Sequence, residues 1–523
     1  MLPSAFEVLG PVMVGPSSSH TAGALRLARV AREIAPKPVE SVKFTLYNSF
    51  ANTYLGHGTD KALVAGMLGL NTDDERIRDS FALAAERGLA FSFATSDEGG
   101  GLHPNTVDIA MGLVGGSTLT VRGESVGGGR VRLSAVGGVP VDMAGEYPTL
   151  FVHHVDRPGV LASLTGALSA ASINIATIRT FRDSRGGDAY TVAELDEELP
   201  AELVEAVSAA PSVLFATSVT IPGALPAAAE GAGGPDFSCG ADLLSLCEER
   251  HCSIGSLMRD REARLAVGGR AAADSAMTRV RQAMELSVRA TVERPEPSLG
   301  GFLHGQARAV SRRSAALGAP LLGGTLSAAV AGAMAVLERS AAMGVIVAAP
   351  TAGSAGVVPG CLIACAQALG AEDRLEGALW CAAAVGAIVM ANGSVSGAEG
   401  GCQAEVGTAS AMAAAGLCQM LYGSPKTCLE AASIALGNLL GLVCDPVGGL
   451  VEFPCQNRNA IGAANAFTAA QLALSSVGCP VPFDEAVQAM TLVGNALPVS
   501  LRETAQGGLA ACPSACAACG AWD

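Results

Sequence analysis

Three histidines lie in N-terminal loops that are rich in glycine and small polar residues. The loops are GPSSSHTAG (Gly15–Gly23), GHGTDKA (Gly56–Ala62) and LHPNTVDIA (Leu102–Ala110), which contain His20, His57 and His103. The chain has only seven histidines, so three in such loops indicate a site that transfers protons near neutral pH. The serines of the first loop precede a helix and predict an anion-binding arrangement; a serine-rich helix cap with a surface histidine is the alternative.

Three of the fifteen cysteines stand in or beside glycine- and proline-rich loops. Cys402 lies in GGCQAEVG, and Cys444 and Cys455 lie in LVCDPVGGLVEFPC, which gives the spacing C-x41-C-x10-C. This spacing matches neither a zinc ribbon nor a bacterial ferredoxin, so it does not identify a metal by itself. Five other cysteines stand in apolar helical runs and are predicted to be small buried hydrophobic residues. They are Cys361, Cys365, Cys381, Cys418 and Cys428.

Two further loops of the C-terminal region are dominated by small residues. They are PTAGSAGVVPG (Pro350–Gly360) and GSVSGAEGGCQAEVG (Gly393–Gly407). Glycine leaves the backbone uncovered, so such loops allow backbone amides to approach a small ligand closely.

Composition excludes several classes of protein. A net charge of −15 without a basic run opposes nucleic-acid binding. The segment Met1–Gly10 lacks a basic region followed by an apolar run, which favours a reducing cytoplasm and free thiols. The most apolar stretch, Gly377–Ala391, is shorter than the roughly 20 residues of a membrane helix, and Ala315–Pro350 is interrupted by proline, glycine and charge. A cytoplasmic protein without membrane association is therefore expected.

The elements that position these residues fall into three regions separated by changes of composition. Residues 1–146 mix strand patterns, such as Ser41–Tyr47 and Ser117–Arg122, with helical ones, such as Ala22–Ile34, and are predicted to be α+β. Residues 147–222 show the order βαββαβ of a ferredoxin-like unit. Residues 223–235 form a low-complexity linker, and residues 236–523 are predicted to be an all-α domain.

The middle region resembles the ACT family. The likeness rests on DRPGVL (Asp156–Leu161) and INIATIRT (Ile173–Thr180). It implies a regulatory amino-acid site near the turn, where helix-end amides are free to bind a carboxylate, and a homodimer in which two such units pack together. The residues that the resemblance implies for this site are His154, Asp156, Gly159 and Asn174. A purely structural spacer is the alternative.

Taken together, PSSSHT, HGTD, PTAGSAGVVP, GCQAEVG, CDPVGGLVEFPC and QNRNA resemble the PLP-independent L-serine dehydratases over nearly the whole chain. The resemblance implies fused β and α regions with the ACT-like unit between them, L-serine as substrate and no pyridoxal phosphate. It implies a [4Fe–4S] cluster on Cys402, Cys444 and Cys455, with one iron open to substrate. It also assigns His57 and His20 to catalysis. Substrate binding is assigned to Ser17, Ser18, Ser19, Thr59, His103 and Asn105.

One segment departs from that family. LYNSFANTYLGHGTD stands where related enzymes resemble LYGSLALTGKGHGTD, so Asn48 and Tyr54 replace glycines and Leu55 replaces a lysine. The departure puts substrate preference in doubt, and not the reaction class.

The C-terminal tail contains Cys512, Cys516 and Cys519. Such tails are normally frayed, and C-x-x-C could equally be a redox or adventitious metal pair. By resemblance to some relatives, Cys516 is our candidate for a fourth ligand that covers the open iron until serine displaces it.

Three other functions compete with serine dehydration. A cysteine desulfidase shares the cluster-bearing helical region, but the full PSSSHT region argues against it. The ACT-like unit is also compatible with a non-catalytic amino-acid sensor. The number of cysteines is compatible with a structural zinc protein. Neither accounts for His57 together with the three loop cysteines.

Overall fold

The computed structural model describes residues 2–96, 99–127, 129–144, 147–220, 236–266, 268–316 and 320–515. The chain divides into two units. The mixed unit comprises Ser19–Ala227, and the helical unit comprises Met1–Ser18 together with Ala228–Asp523. The predicted linker, residues 223–235, lies outside the described residues.

The strands of the described residues are β1 Val12–Val14, β2 Val39–Tyr47, β3 Ala90–Ser96, β4 Thr106–Leu113, β5 Thr118–Gly127, β6 Arg130–Val136, β7 Val139–Met143, β8 Thr149–Val155, β9 Ile175–Arg182, β10 Asp188–Leu195, β11 Val213–Val219 and β12 Val345–Val347. The α-helices are α1 Ala5–Val8, α2 Ala24–Glu33, α3 Asn48–Thr53, α4 Thr59–Met67, α5 Ser80–Glu86, α6 Val160–Ala170, α7 Ala201–Ser208, α8 Gly240–Arg250, α9 Ile254–Leu265, α10 Gly269–Glu293, α11 Gln306–Ala316, α12 Gly323–Ala341, α13 Val357–Leu369, α14 Leu375–Asn392, α15 Gly397–Gly400, α16 Thr408–Met420, α17 Pro425–Asn438, α18 Cys455–Leu474 and α19 Phe483–Ala496.

The first part of the mixed unit is a sheet with the order β3-β2-β4-β5-β6-β7. β2 and β3 are parallel, and the other neighbours are antiparallel. α2 packs on α4 and against β5 and β6. The two helices approach closely because Gly66 has no side chain: a β-carbon there would lie 2.2 Å from the carbonyl oxygen of Leu25. The predicted α+β region is confirmed.

The second part of the mixed unit is a four-stranded sheet with the order β11-β8-β10-β9, and α6 and α7 complete it. Its elements follow one another as βαββαβ, as the sequence predicts. Leu150 and Val152 of the sheet pack against Leu164 and Leu168 of α6. The predicted ferredoxin-like unit is therefore confirmed.

The helical unit has a core of small residues. α14 packs on α16, and alanine is the most frequent buried residue in both helices. Close packing also explains Gly360: a β-carbon there would lie 2.7 Å from the carbonyl oxygen of Ala329 on α12. The prediction of a helical region is confirmed, with one addition. β12 pairs antiparallel with β1, and the sequence pattern predicted neither of these short strands.

Two helical segments of the described residues are long and apolar enough to cross a membrane, Ala352–Leu369 and Glu372–Asn392. The second contains the predicted core helix Gly377–Ala391. Their most apolar windows are 78% and 72% buried inside the protein, as the core helices of a soluble protein also are. The five cysteines predicted to be core residues are buried as well.

Candidate active site

Two groups of chemically active side chains emerge, a histidine cluster in the mixed unit and a cysteine cluster in the helical unit. The histidine cluster comprises His20, His57 and His103. The cysteine cluster comprises Cys402, Cys444 and Cys455. Each group is described within its own unit.

His57 is held as a neutral imidazole with one free nitrogen. Its Nδ1 lies 3.1 Å from the carbonyl oxygen of Thr53, which only accepts hydrogen bonds, so Nδ1 carries the proton. Nε2 is then unprotonated, and among the described residues it is buried without a hydrogen-bond partner. Burial lowers the pKa of His57 below its usual value. The ring therefore presents a free base at neutral pH.

His20 packs directly on His57. The two ring centroids are 4.6 Å apart with an angle of 26° between the planes. Nε2 of His20 lies 3.0 Å from the hydroxyl of Ser49. Burial, and secondarily the neighbouring His57, holds the pKa of His20 well below its usual value. A proton on either ring would repel a proton on the other, so the stack remains neutral.

The third histidine loop is fastened to the first loop and to Ser49, whose hydroxyl contacts His20. The Ser49 amide donates to the carbonyl of Pro104 at 2.9 Å. The Asn105 amide donates to Nδ1 of His103 at 3.1 Å, and the Asn105 side chain donates to the Ser125 carbonyl at 3.3 Å. The Ser125 hydroxyl in turn donates to the carbonyl of Ser19 at 2.9 Å. The fold thus brings the three predicted loops together.

Unpaired acceptors remain in these loops. Within the described residues, Oδ1 of Asn105 and Oγ1 of Thr59 are buried without a hydrogen-bond partner. Burial also lowers the pKa of His103. Ser17 and Ser18 end the first segment of the helical unit. The structure therefore leaves two predicted substrate-binding side chains available to a polar ligand.

The departure at Asn48 has a structural role. Asn48 has a φ of 49°, a left-handed conformation that asparagine tolerates better than most residues. Its side-chain amide donates to the carbonyls of Gly99 and Leu102 at 3.1 and 3.3 Å. A glycine would adopt this backbone but could not form these bonds.

The three predicted cysteines come from separate segments of the helical unit. Cys402 precedes a π-helical turn, Gln403–Gly407, and Cys455 begins α18. Cys444 forms a parallel bridge with Arg502. All three are free and buried, with exposed fractions of 3%, 4% and 7% in chain order.

The three thiols interact with one another. A hydrogen bond with Cys402, together with burial, raises the pKa of Cys444 well above its usual value. Burial, and then the neighbouring Cys402, does the same to the pKa of Cys455. Adjacent thiolates repel in a buried site, so three of them require a compensating cation.

This donor set fits an iron–sulfur cluster with three protein thiolates. Among the described residues, no group of three or more His, Cys, Asp or Glu side chains is arranged to hold a single metal ion. A cluster that takes one thiolate on each of three irons does not need its ligands to converge on one point. Cys402, Cys444 and Cys455 would hold it.

Glu405 is a site residue that the sequence analysis did not identify. The Thr351 hydroxyl donates to its Oε1 at 2.7 Å. A β-carbon at Gly353 or Gly397 would lie 2.9 or 2.7 Å from its carboxylate oxygens, and the one at Gly397 also 3.3 Å from Sγ of Cys444. These glycines make room for Glu405 and Cys444. Glu405 stands three residues after Cys402 in GCQAEVG, a signal that could have identified it.

Two more charged residues border the cysteines. The Arg458 guanidinium is 2.6 Å from Oδ1 of Asp445 and donates to the Val443 carbonyl at 2.8 Å. The Glu503 amide donates to the Cys444 carbonyl at 2.8 Å. Burial, and then the charge of Glu405, raises the pKa of Glu503 to about 8. The segment containing Cys444 is thus fixed from both sides.

The tail docks beside Cys444. The Leu509 amide donates to Oδ2 of Asp445 at 2.6 Å. Gly508 has a φ of 61°, and a β-carbon there would lie 2.2 Å from the same oxygen. Cys512 is half-buried and follows this turn. Cys516, the predicted fourth ligand, lies outside the described residues.

A cavity of about 440 Å³ adjoins Gly400 and Ala404, on either side of Cys402. Arg502 lines it, donating to the Glu399 carbonyl at 3.3 Å, and its buried Nε has no hydrogen-bond partner in the described part of the chain. Since the Arg502 backbone pairs with Cys444, a group able to bind carboxylates stands next to the cysteine-bearing segment.

The predicted ACT residues are only partly brought together. Asp156 accepts hydrogen bonds from Arg182 at 2.7 Å and from the Gly186 amide at 3.1 Å, and these bonds lower its pKa. Gly159, with a φ of 94°, opens α6 in the same turn. His154 is buried, and its Nε2 lies 2.8 Å from the Thr191 hydroxyl.

Asn174 lies at the other end of the same sheet. In the strand register, Val155 pairs with Asp188, whereas Ile175 pairs with Leu195 at the far end of β10. Asn174 bonds there to Asp196 at 2.6 Å. One copy of the chain therefore does not place Asn174 beside Asp156.

Three family models match successive parts of the chain. The one described as the serine dehydratase beta chain matches residues 4–135, the ACT domain matches 148–212, and the serine dehydratase alpha chain matches 249–510. An L-serine dehydratase of Streptomyces coelicolor is 33% identical over 97% of this chain and 98% of its own length. The chain belongs to the serine dehydratase family.

In two relatives, the alpha and beta regions are two separate chains. The probable L-serine dehydratase alpha chain of Bacillus subtilis is 52% identical over 38% of this chain and 66% of its own length. The L-serine dehydratase beta chain of Peptoniphilus asaccharolyticus is 40% identical over 39% of this chain and 92% of its own length. This serine dehydratase family member therefore joins in one chain regions that are separate chains in those relatives.

Proposed function

We propose that this chain is an L-serine dehydratase that uses a [4Fe–4S] cluster on Cys402, Cys444 and Cys455 and converts L-serine to pyruvate and ammonia. The observation that carries the proposal is the interaction of three free, buried thiols from three segments in a member of this family. When bound, the cluster supplies a Lewis acid for the hydroxyl and carboxylate of serine. Pyridoxal phosphate is not required.

His57 is the proposed general base. Dehydration removes the weakly acidic α-proton of serine while hydroxide leaves the β-carbon. The free, buried Nε2 of His57 has the right protonation state to accept that proton at neutral pH. His20 stacks on the ring and holds its orientation. The product, 2-aminoacrylate, then tautomerises and hydrolyses without further catalysis.

Polar groups of the loops are proposed to bind the substrate. Ser17, Ser18 and Ser19 provide hydroxyl and amide donors before α2. Thr59 and Asn105 contribute the buried oxygens that lack partners within the described residues, and these accept from the substrate ammonium group. His103 completes the set.

The ACT-like unit is proposed to bind free serine as a regulatory ligand. Asp156 and Gly159 would come from one copy and Asn174 from a second, because one copy places them at opposite ends of the sheet. His154 supports the strand from inside. A homodimer follows from this arrangement.

We also propose that Cys516 covers the open iron in the resting enzyme, and that the protein is cytoplasmic.

Anaerobic purification tests the proposal directly. We expect a brown protein with broad visible absorption that forms pyruvate from L-serine, and we expect air to bleach the colour and the activity together. A colourless, iron-free protein that still forms pyruvate would contradict the cluster assignment. A brown protein that releases sulfide from cysteine but does not dehydrate serine would contradict the substrate.

A further inference from the structure

Five cysteines outside the candidate active site lie close together in the helical unit. The thiol of Cys252 neighbours that of Cys247, and the thiol of Cys428 neighbours that of Cys381. Cys428 also lies near Cys247, and Cys418 lies near Cys428. The helices α8, α14, α16 and α17 contribute four of these thiols, and Cys252 follows α8. This thiol cluster has no part in the proposed dehydration.

The end of α8 explains why Cys247 and Cys252 touch. His251 has a φ of 50°, and its amide donates to the carbonyl of Glu248 at 3.4 Å. The amide of Cys252 donates to the carbonyl of Cys247 at 3.1 Å. These two bonds define a Schellman motif, in which the side chains of these two positions frequently touch, and Cys252 packs against the buried cluster that contains Cys247. Usually both are apolar, but here both are thiols.

The two thiols differ in access to solvent. Cys247 is buried, with an exposed fraction of 2%, whereas Cys252 is half-buried. Burial, and then the neighbouring Cys252, raises the pKa of Cys247 to about 12. Since the thiolate is the reactive form, a reagent from solution reacts first with Cys252.

We propose that Cys247 and Cys252 form a reversible disulfide when the protein meets a low-molecular-weight disulfide such as oxidised glutathione. The Cys252 thiolate attacks one sulfur of the oxidant, forms a mixed disulfide and releases one glutathione thiolate. Sγ of Cys247 then attacks Sγ of Cys252, gives its proton to the released thiolate, and expels the second glutathione. Two protein thiols are oxidised, and one glutathione disulfide is reduced to two thiols.

The consequence is an oxidation site separate from the proposed cluster ligands. The groups that act most strongly on Cys247 are Cys252, Cys428 and Glu248, and Cys381 of α14 also lies near it. The proposed cluster ligands act on one another instead. In a reducing compartment such a pair is normally open and closes only under oxidation.

Peptide mapping of the full-length, anaerobically purified protein tests the proposal. The protein is treated with oxidised glutathione, alkylated, and digested without reduction by trypsin and a protease that cleaves before aspartate. The two cysteines then fall into Asp242–Arg250 and His251–Arg259, which contain one cysteine each. We expect the two peptides to be joined and to separate after dithiothreitol. Peptides that stay separate, with glutathione remaining on Cys252, would overturn the proposal.

Three variants check the order of events. Cys247→Ser should trap glutathione on Cys252, and Cys252→Ser should leave Cys247 unmodified. Cys239→Ser is the matched control, because Cys239 is a half-buried thiol at the start of the same helix with Asp242 and Asp484 as neighbours. It should leave the joined peptide unchanged. Oxidation of Cys247 in Cys252→Ser at the wild-type rate would overturn the proposed sequence.

Discussion

The stacked pair His20–His57 and the cysteine cluster are both buried, but the protein alone stabilises the charge state of only the first. In the histidine cluster, Thr53 and Ser49 fix the rings, and burial keeps both neutral with one nitrogen free. In the cysteine cluster, burial and the neighbouring Cys402 raise the pKa of Cys444 and Cys455, and Arg458 opposes this only in part at Cys455. Three thiolates therefore need a further cation. Substitutions should therefore change the rate at the first cluster and the bound cofactor at the second.

The largest effect is expected at the cysteines. Cys402→Ala, Cys444→Ala and Cys455→Ala should each abolish turnover, because each removes one of the three thiolates proposed to hold the cluster throughout the reaction. Iron content and pyruvate formation, measured on the same anaerobic preparations, should fall together.

Cys418→Ala is the matched control, since Cys418 is a buried thiol of the same unit in α16. It should keep its iron and most of its activity. If all three ligand variants retain full iron and turnover, these cysteines are ordinary core residues.

His57→Ala should keep the iron and lose turnover by about a hundredfold or more, the usual cost of removing a general base. The expected result is a brown protein with a low kcat. A rate near that of the wild type would move the base role to His20 or His103.

The pH profile sharpens the same assignment. Burial lowers the pKa of His57 below 6.5, so the neutral, active form persists below that pH and is lost only as the pH falls through the lowered pKa. The acid limb of kcat/KM should therefore lie below pH 6.5. A limb centred at or above 6.5 would mean that a group other than buried His57 controls the rate.

The comparison of sequence with structure shows which features a local pattern can predict. The order βαββαβ predicted for residues 147–222 is the observed one, because the alternation within each strand is a property of consecutive positions. β12 pairs with β1 across more than three hundred residues, and no local period encodes that pairing.

The same distinction applies to the site. The residue types and the glycine-rich loops around them identified His57 and the three cysteines as candidate site residues. Glu405 and Arg458 could not be identified in this way. Their place in the site follows from contacts near Cys444 and with Asp445, which depend on the packing of distant segments. The roles of all these residues remain predictions.

A smaller effect is expected at the tail. Truncation after Ala515 removes Cys516 and Cys519 but keeps the contact of Leu509 with Asp445. Truncation after Gly508 removes these cysteines and that contact as well. If Cys516 covers the open iron, the shorter deletion should abolish a slow onset of activity and shorten the lifetime in air. An unchanged lag, serine dependence and air lifetime would show that the tail is not a ligand.

The smallest effect is expected in the ACT-like unit. Asp156→Ala removes the acceptor for Arg182 and Gly186, and Asn174→Ala changes the opposite end of the sheet. If one serine is bound between two copies, both variants should shift the serine dependence of the rate in the same direction, by about fivefold at the low end of allosteric coupling.

Thr165→Ala on the exposed side of α6 is the control and should behave as the wild type. The serine dependence is obtained from initial rates measured over a range of serine concentrations for each variant and the wild type. Analytical ultracentrifugation shows whether each variant is still a dimer. A shift in Asp156→Ala but none in Asn174→Ala would contradict a site shared between copies. No shift in either variant would make the unit a spacer, because a regulatory site cannot lose residues from both of its halves without changing the affinity for its ligand.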